Sequence, residues 1–591
     1  MATVPITIVP VPEFVEADAP ARTLLLQQAP KTRFSLLARL RRLHIRDVGV
    51  FGLFVAIFAM ALRPVVDNDL FWHLATGRYI WATGRVPHAD PFSWTEPGRA
   101  WIAHEWLTET FLYPLYAHGG YPALMLVFAS VITAAFAVSY ATARLLGATR
   151  PLAVLVTGLA ALASDHTWGV RPQMLSLLLT ALTLWVLTHA ATTSRTRALW
   201  TLPALLALWA NLHGGFIFGL VIIGLVALGR TCEDIFTPHP QPLSLTGRGE
   251  RGVRAGTLWL VFIASLAACL ANPNGLKGLI YPFTYLGDNA STRYIAEWVS
   301  PDFHQGQYQL FEALALALVA GVAFSPRRPR LTEVLLALLF THLALVSVRN
   351  INLFSIVVAP LIAVYLSHAW REARTRVAVL VASSRIAPFG TARAYGDTPL
   401  HRPAHHGERG DRHGRIALEH DRGRRDAGGP RGDGSADKPR RITPAVAALN
   451  LTLAVVIAGA VLVISAPNLS ARHNTAIQAQ RYPAGAVSYL RTHQPRGPML
   501  NSYDWGGYLI WTLYPRERVY IDGRPDMYGD RFVDAFVRTW RAEPGWQSTL
   551  RGQGVRLALV EPSSGLGHAL AGAPGWRVAF RDKVSVLYAR A

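Results

Sequence analysis

The chain is poor in cysteine, in charge and, within its charge, in acid. Its two cysteines, Cys232 and Cys269, stand far apart beside or within apolar runs, so neither a disulfide framework nor a cysteine-rich metal centre is available. Only 16% of the 591 residues are charged, against about 25% in an ordinary globular chain. Asp and Glu number 37 against 58 Lys and Arg, a net charge of +21. The first 46 residues lack the short apolar core and small-residue cleavage site of a secretory signal. No GxGxxG or GxxxxGK[ST] loop opens a helix in a soluble segment, which disfavours a nucleotide-sugar donor. A secreted disulfide scaffold is excluded.

What the chain has in quantity is apolar length. Hydrophobic residues make up 51% and the mean hydropathy is +0.24. They gather near 47–66, 121–146, 151–168, 170–190, 198–212, 213–229, 257–272, 309–325, 331–348, 350–368 and 443–466, about eleven stretches of the kind a bilayer buries. Arg39, Arg41, Arg42 and Arg46 precede the first run, and positive residues stay inside. The N-terminus is therefore expected in the cytoplasm, and an odd number of spans sends the C-terminus outside. Arg144 and Arg150, Arg195 and Arg197, Arg248 to Arg254, and Arg327 to Arg330 all fall on expected inner loops and agree with that orientation.

The expected fold is a polytopic α-helical membrane protein, N-in and C-out, of the cell (inner) membrane. A basic cytoplasmic tail (1–46) leads into a multi-span domain (47–368) whose outer loop, 67–120, carries two aromatic-rich interfacial helices, Leu70 to Thr83 and His104 to Ala117. A Gly/Arg/His-rich cytoplasmic loop (369–441) lacks apolar periodicity and is expected to be a disordered, solvated linker rather than a nucleic-acid site. The stretch 238–252 reads as a tolerated insertion. A last span (442–466) precedes a small extracytoplasmic α/β domain (467–591), with helices near 483–493 and 530–540 and strands near 517–522, 555–560, 576–580 and 584–588.

Polar side chains near the span ends concentrate on the expected outer side: Asp67 and Asp69; Asp165, His166, Arg171 and Gln173; Asn211 and His213; Asn272, Asn274 and Glu297; Arg349 and Asn350. Such residues are expensive at membrane depth and usually face a cavity, which implies a shared outward-opening pocket, although any one of them alone is more often a cap. In Asp67-Asn68-Asp69, two carboxylates can share a divalent cation such as Mg or Mn, or divide the work of base and orienting group. Asp69 also suits the N-cap of a helix starting at Leu70. His73, one turn on, is a metal ligand, an acceptor-orienting group or a packed interfacial histidine. His104, Glu105 and Glu109 repeat the pattern on the second helix, the two glutamates sharing a face. Arg171 and Arg349 break the positive-inside bias. A guanidinium there suits a phosphate or pyrophosphate, unless it pairs internally with an acid such as Asp165.

With this architecture end to end, and an acidic motif opening the first outer loop, the chain resembles the polyprenyl-phosphate-dependent GT-C glycosyltransferases, which include protein O-mannosyltransferases, aminoarabinose transferases and oligosaccharyltransferase catalytic subunits. The resemblance implies transfer of a sugar from a polyprenyl-phosphate carrier to an acceptor at the outer face. It implies a catalytic carboxylate at Asp67 first and Asp69 second, and a lipid-phosphate contact at Arg349. Substrate-binding roles then extend to His73, His104, Glu105, Arg171 and His213. The implied partners are a lipid-linked donor and membrane lipid, with no nucleic acid. The His-Pro start of the second span found in many mannosyltransferases is absent. Tyr503 to Tyr508 shares residues with the oligosaccharyltransferase aromatic-Asp-Gly motif in a different order, and reads as a turn into a helix. The alternatives are a lipid-linked glycan transporter or flippase, and a non-catalytic scaffold with an envelope-binding domain.

Overall fold

The computed structural model describes residues 44–236, 253–285, 289–385 and 443–591. The basic tail up to residue 43, the insertion at 238–252 and most of the loop expected at 369–441 lie outside them. Each apolar run read from the sequence carries a helix: Ile45–Ala61, Trp106–Leu145, Arg150–Ser164, Gln173–Thr193, Leu202–Leu212, Phe216–Phe236, Ala255–Ala268, Gly306–Phe324, Leu331–Val346, the pair Ile351–Val357 and Ala359–Arg385, and Pro444–Ser465. Helix continues to Arg385, past the residue 368 at which the loop was expected to begin.

Five of these helices are long and apolar enough to cross a membrane, and a sixth if Val348–Val357 and Ala359–Val381, bent by 50°, count as one. The other five run from 11 residues (Leu202–Leu212) to 17 (Ile45–Ala61). At 1.5 Å per residue even the longest reaches only about 26 Å, short of the roughly 30 Å hydrocarbon core. The expected eleven stretches are therefore present as helices, but not all at bilayer length. The bundle packs through small side chains, with Ala129, Ala135, Ala153, Ala160, Ala163 and Ala363 fully buried, and these let helix backbones approach where no hydrophobic force separates protein from lipid. The last helix is different. Its apolar window is only 11% buried within the protein, and Leu449, Val455, Val456, Leu462, Val463 and Ile464 point outward, as lipid-facing residues do.

The first loop departs from expectation. Its first helix, Asn68–Thr83, buries Leu70, Phe71, Trp72, His73, Leu74 and Ala75 between Trp106–Leu145 and the helix Gly506–Leu513 of the C-terminal domain. It does not lie free along a membrane surface, because that domain covers it. The second runs straight into the following span, broken only at Gly120 (φ 61°, ψ −158°).

The C-terminal domain carries a four-stranded sheet, β1 (Met499–Asn501), β2 (Leu557–Val560), β3 (Trp576–Arg581) and β4 (Val586–Arg590), in the order β1-β2-β4-β3. β1 and β2 are parallel with Leu500 opposite Ala558, and β2 and β4 are antiparallel with Leu559 opposite Leu587. Helices Ala484–His493 and Asp530–Trp540 fall where the periodicity put them. The strand expected at 517–522 is absent, and β1 was not foreseen. Val519 pairs instead with the loop after the first helical run, donating to Phe92 O at 3.1 Å while its carbonyl accepts from Trp94 N at 3.0 Å. Its alternation is that of an extended segment whose partner lies outside the sheet.

Candidate functional site

Between the first helix and Asn68 the chain is extended and needs outside partners for its backbone. They come from the C-terminal end. Val65 N donates to Asn474 Oδ1 at 3.0 Å and Val65 O accepts from Gln478 Nε2 at 3.1 Å. The Tyr482 hydroxyl reaches Val66 O and Asn68 Oδ1, each at 2.9 Å. This clamp delivers Asp67, not Asp69, as the N-cap: its Oδ1 accepts from Asp69 N at 2.8 Å. The helix thus starts at Asn68, two residues earlier than the sequence suggested.

The other oxygen of Asp67 pairs with Arg171 Nε, and the far side of the same guanidinium pairs with Glu297. Asp165, the example named for an internal pair with Arg171 or Arg349, is taken by Arg63, which also donates from Nη1 to Asp165 O at 2.9 Å. Arg349 lies over the ring of Trp298, the residue after Glu297, with its guanidinium carbon 4.4 Å from the centroid, and it feels the Glu297 charge. Asp69 accepts from Trp72 Nε1 at 3.2 Å, and the backbone at Gly523 comes against its Oδ1 with no room for a Cβ. Burial, and after it the charge of Asp67, pushes the Asp69 carboxyl up to about 7, against the opposing pull of Arg171, His73 and the Trp72 hydrogen bond.

One turn along the same helix from Asp69, His73 belongs to a group of histidines around one glutamate. Glu105 Oε2 is 3.4 Å from His73 Nε2, while its Oε1 is 3.3 Å from His213 Nε2 and 3.6 Å from His104 Nε2. His73 Nδ1 meets Glu109 Oε1 at 3.0 Å. Burial opposes charge on His104, but Glu105 prevails and raises it to about 9. His213 is pushed down to about 3, first by burial, with charged His104 and Arg349 adding to it against Glu105. Its hydrogen bonds agree with a neutral ring, since Nδ1 accepts from Gly215 N at 2.8 Å and so leaves the proton on Nε2, facing Glu105. At neutral pH one imidazole of the group is a cation and another is a donor, two different tools for holding an anionic or hydroxylated substrate.

The structure thus gathers Asp67, Asp69, His73, His104, Glu105, Arg171, His213 and Arg349 into one neighbourhood. Asn211 is a brace, accepting from Trp106 Nε1 at 3.0 Å and donating to Ala271 O at 2.8 Å. Sequence reasoning missed Asp504, whose Oδ1 accepts from Asn68 Nδ2 at 3.1 Å. It also missed a cavity of about 470 Å³ lined by Tyr294, Ser502, Tyr503, Asp504, Trp540 and Glu561. Burial raises the Asp504 and Glu561 carboxyls. The dense polar spelling of Tyr503-Asp504-Trp505 was the available signal.

For a metal, Asp67 and Asp69 are poorly disposed, because both oxygens of Asp67 are engaged and one oxygen of Asp69 already accepts from Trp72. His73, Glu105 and Glu109 bring ligand atoms close together.

No known protein-family profile matches this chain, and no curated protein matches its sequence. Several solved structures are similar in form. The archaeal oligosaccharyltransferase AglB from Archaeoglobus fulgidus, in complex with an inhibitory peptide and a dolichol-phosphate, is 12% identical over 87% of this chain and 69% of its own, at a TM-score of 0.45. ArnT from Cupriavidus metallidurans, bound to undecaprenyl phosphate, is 15% identical over 93% of this chain and 97% of its own, at 0.45. The arabinofuranosyltransferase AftD from Mycobacteria is 16% identical over 93% of this chain and 40% of its own, at 0.44. At such identities these likenesses carry no residue roles across. The structures that this chain is similar to come from the GT-C glycosyltransferases, the family that its sequence resembles.

Proposed function

We propose that this protein is a membrane glycosyltransferase that moves a sugar from a polyprenyl-phosphate carrier to an acceptor hydroxyl at the extracytoplasmic face. The observation that carries the reading is the Asp67–Arg171–Glu297 chain with Arg349 beside it: acid for a proton and guanidinium for a phosphate, at the ends of apolar helices. Asp67 would take the acceptor proton as the hydroxyl attacks the anomeric carbon, with Asp69 as the second choice. Arg171 is its present partner, and a lipid phosphate arriving at Arg171 and Arg349 would compete for that guanidinium and free the carboxylate. The same two cations would then stabilise the charge that grows on the departing phosphate. The cavity beside Asp504 would take the acceptor. A divalent cation at Asp67 and Asp69 is the weaker part of the reading, given how their oxygens are used.

The test is mass spectrometry of glycolipids and glycans from a deletion strain complemented with wild type, Asp67→Asn or Asp69→Asn. The expected outcome is a product that disappears on deletion, returns with wild type and falls by about 10²–10⁴-fold with Asp67→Asn, the range for loss of a general base. Full restoration by both variants would end the assignment. An unchanged profile on deletion would end the transferase reading itself.

A further inference from the structure

Three buried ligand-type side chains meet at His73, one helical turn from Asp69. His73, Glu105 and Glu109 are 3%, 6% and 0% exposed, and one donor atom from each lies within 4.8 Å of the other two. The two glutamates stand one turn apart at the start of the helix that packs on the helix carrying His73, so the set spans two elements. His73 faces Glu109 with one ring nitrogen at 3.0 Å and Glu105 with the other at 3.4 Å. A second, independent observation is that Glu109 Oε2 is buried and has no hydrogen-bond partner among the described residues. An unsatisfied carboxylate oxygen in the interior is costly, and even a protonated His73 reaches only one oxygen of each glutamate, leaving Glu109 Oε2 unanswered. Protonating Glu109 does not mend this, because a hydroxyl on Oε2 would itself need an acceptor. His104 and His213 are turned to the opposite oxygen of Glu105 and give Glu109 Oε2 nothing.

We propose that His73, Glu105 and Glu109 bind one divalent transition-metal ion of the zinc class, at a centre separate from Asp67 and Asp69. One neutral imidazole and two carboxylates balance a charge of +2 and form a three-residue set that leaves zinc a fourth position. The imidazole argues against Mg and Ca, which take oxygen shells. Ligands about 2.1 Å from a shared ion stand at most roughly 4.2 Å apart, so small side-chain rotations close the set. His73 is one turn from Asp69 on the same helix. The ion is therefore a positioning device, tying the first turn that presents the carboxylates to the helix beneath it.

The proposal stands whether or not the chain transfers sugar, and its test reads metal rather than activity. Full-length protein in detergent is stripped with chelator and dialysed in parallel against Zn²⁺, Mn²⁺ and Mg²⁺, and bound metal is measured by mass spectrometry. About one zinc per chain is expected in wild type and in Asp67→Asn, with affinity at least tenfold weaker in Glu109→Gln and His73→Gln while the thermal midpoint of the stripped protein is kept. X-ray absorption at the zinc edge of wild type needs no variant and should show one imidazole among oxygen ligands. The proposal is overturned by substoichiometric zinc in wild type, by binding of Mg²⁺ alone, by an all-oxygen shell, or by zinc lost in Asp67→Asn but kept in Glu109→Gln.

Discussion

Asp69 shows most directly how burial and charge set the behaviour of one residue here. Its carboxyl moves from 3.8 up to about 7 through burial, with Asp67 two residues away adding to it. Because the folded value lies above the unfolded one, the native state holds the proton more tightly. The folded state therefore loses stability as pH rises from about 4 to about 7, and the loss persists above that. Asp69→Asn keeps an oxygen to accept from Trp72 Nε1 and removes the titration. It should melt at a higher temperature than wild type at pH 8, with the gap closing steadily toward pH 4. A gap constant across that window, read by thermal unfolding in detergent, would rule out this account. Part of this was readable in the sequence: the Asp67-Asn68-Asp69 motif and its capping chemistry were visible. Which aspartate caps and which is crowded was not, because that depends on Asn474, Gln478 and Tyr482 holding the preceding backbone.

At the scale of elements, the helix Asn68–Thr83 is the hub, and its seat is cut by a glycine. A Cβ on Gly77 would run into the Glu109 carbonyl and approach Tyr113 Cβ to 2.9 Å. Gly77→Ala should therefore destabilise by roughly 1–3 kcal/mol, the usual cost of overpacking, and disturb the His73–Glu109 contact. Gly256→Ala, in the first turn of its helix and with nothing among the described residues within 4 Å of the added carbon, should leave stability within about 0.5 kcal/mol of wild type. Denaturant midpoints of the two variants check the contrast, and a Gly77→Ala protein as stable as wild type would mean that the two helices do not pack this closely. The aromatic content of this helix suggested a membrane surface. Trp72 is instead buried at 6% exposure, and Trp81 at its far end is 60% exposed. Periodicity reveals that a helix has a buried face; it does not say whether lipid or protein covers it.

At the scale of the whole molecule, Arg524 fastens the loop after the first helical run to the C-terminal domain. It is 2% exposed and pairs with Asp522 at 2.7 Å and Asp90 at 2.8 Å. Its guanidinium also lies 4.5 Å from the Trp101 ring and 5.3 Å from the Phe92 ring. Arg524→Ala leaves two buried carboxylates without a counter-charge, a change that costs about 3–5 kcal/mol. The expected result is a lower thermal midpoint together with faster proteolytic cutting within 85–103. A variant equally resistant to protease would show that this join does not bear on the loop. The extended run ending at Asp522 lies within the strand expected near 517–522. The partner of Arg524, Asp90, lies more than 400 residues away in the chain, and no local pattern marks it.

The sequence by itself determined what is local. Apolar runs became helices because each backbone hydrogen bond in a helix is made within the run, and the scarcity of charge left a bilayer as the medium able to bury so many of them. It also determined which residues were chemically able to make a site. The tertiary structure alone decided the pairings. Asp67 meets Arg171 across 104 positions, Arg171 meets Glu297 across 126, and Val65 is held by Asn474 across 409. Those choices turn on which charges are left together when water is removed, a property of the assembled interior and of no segment taken alone.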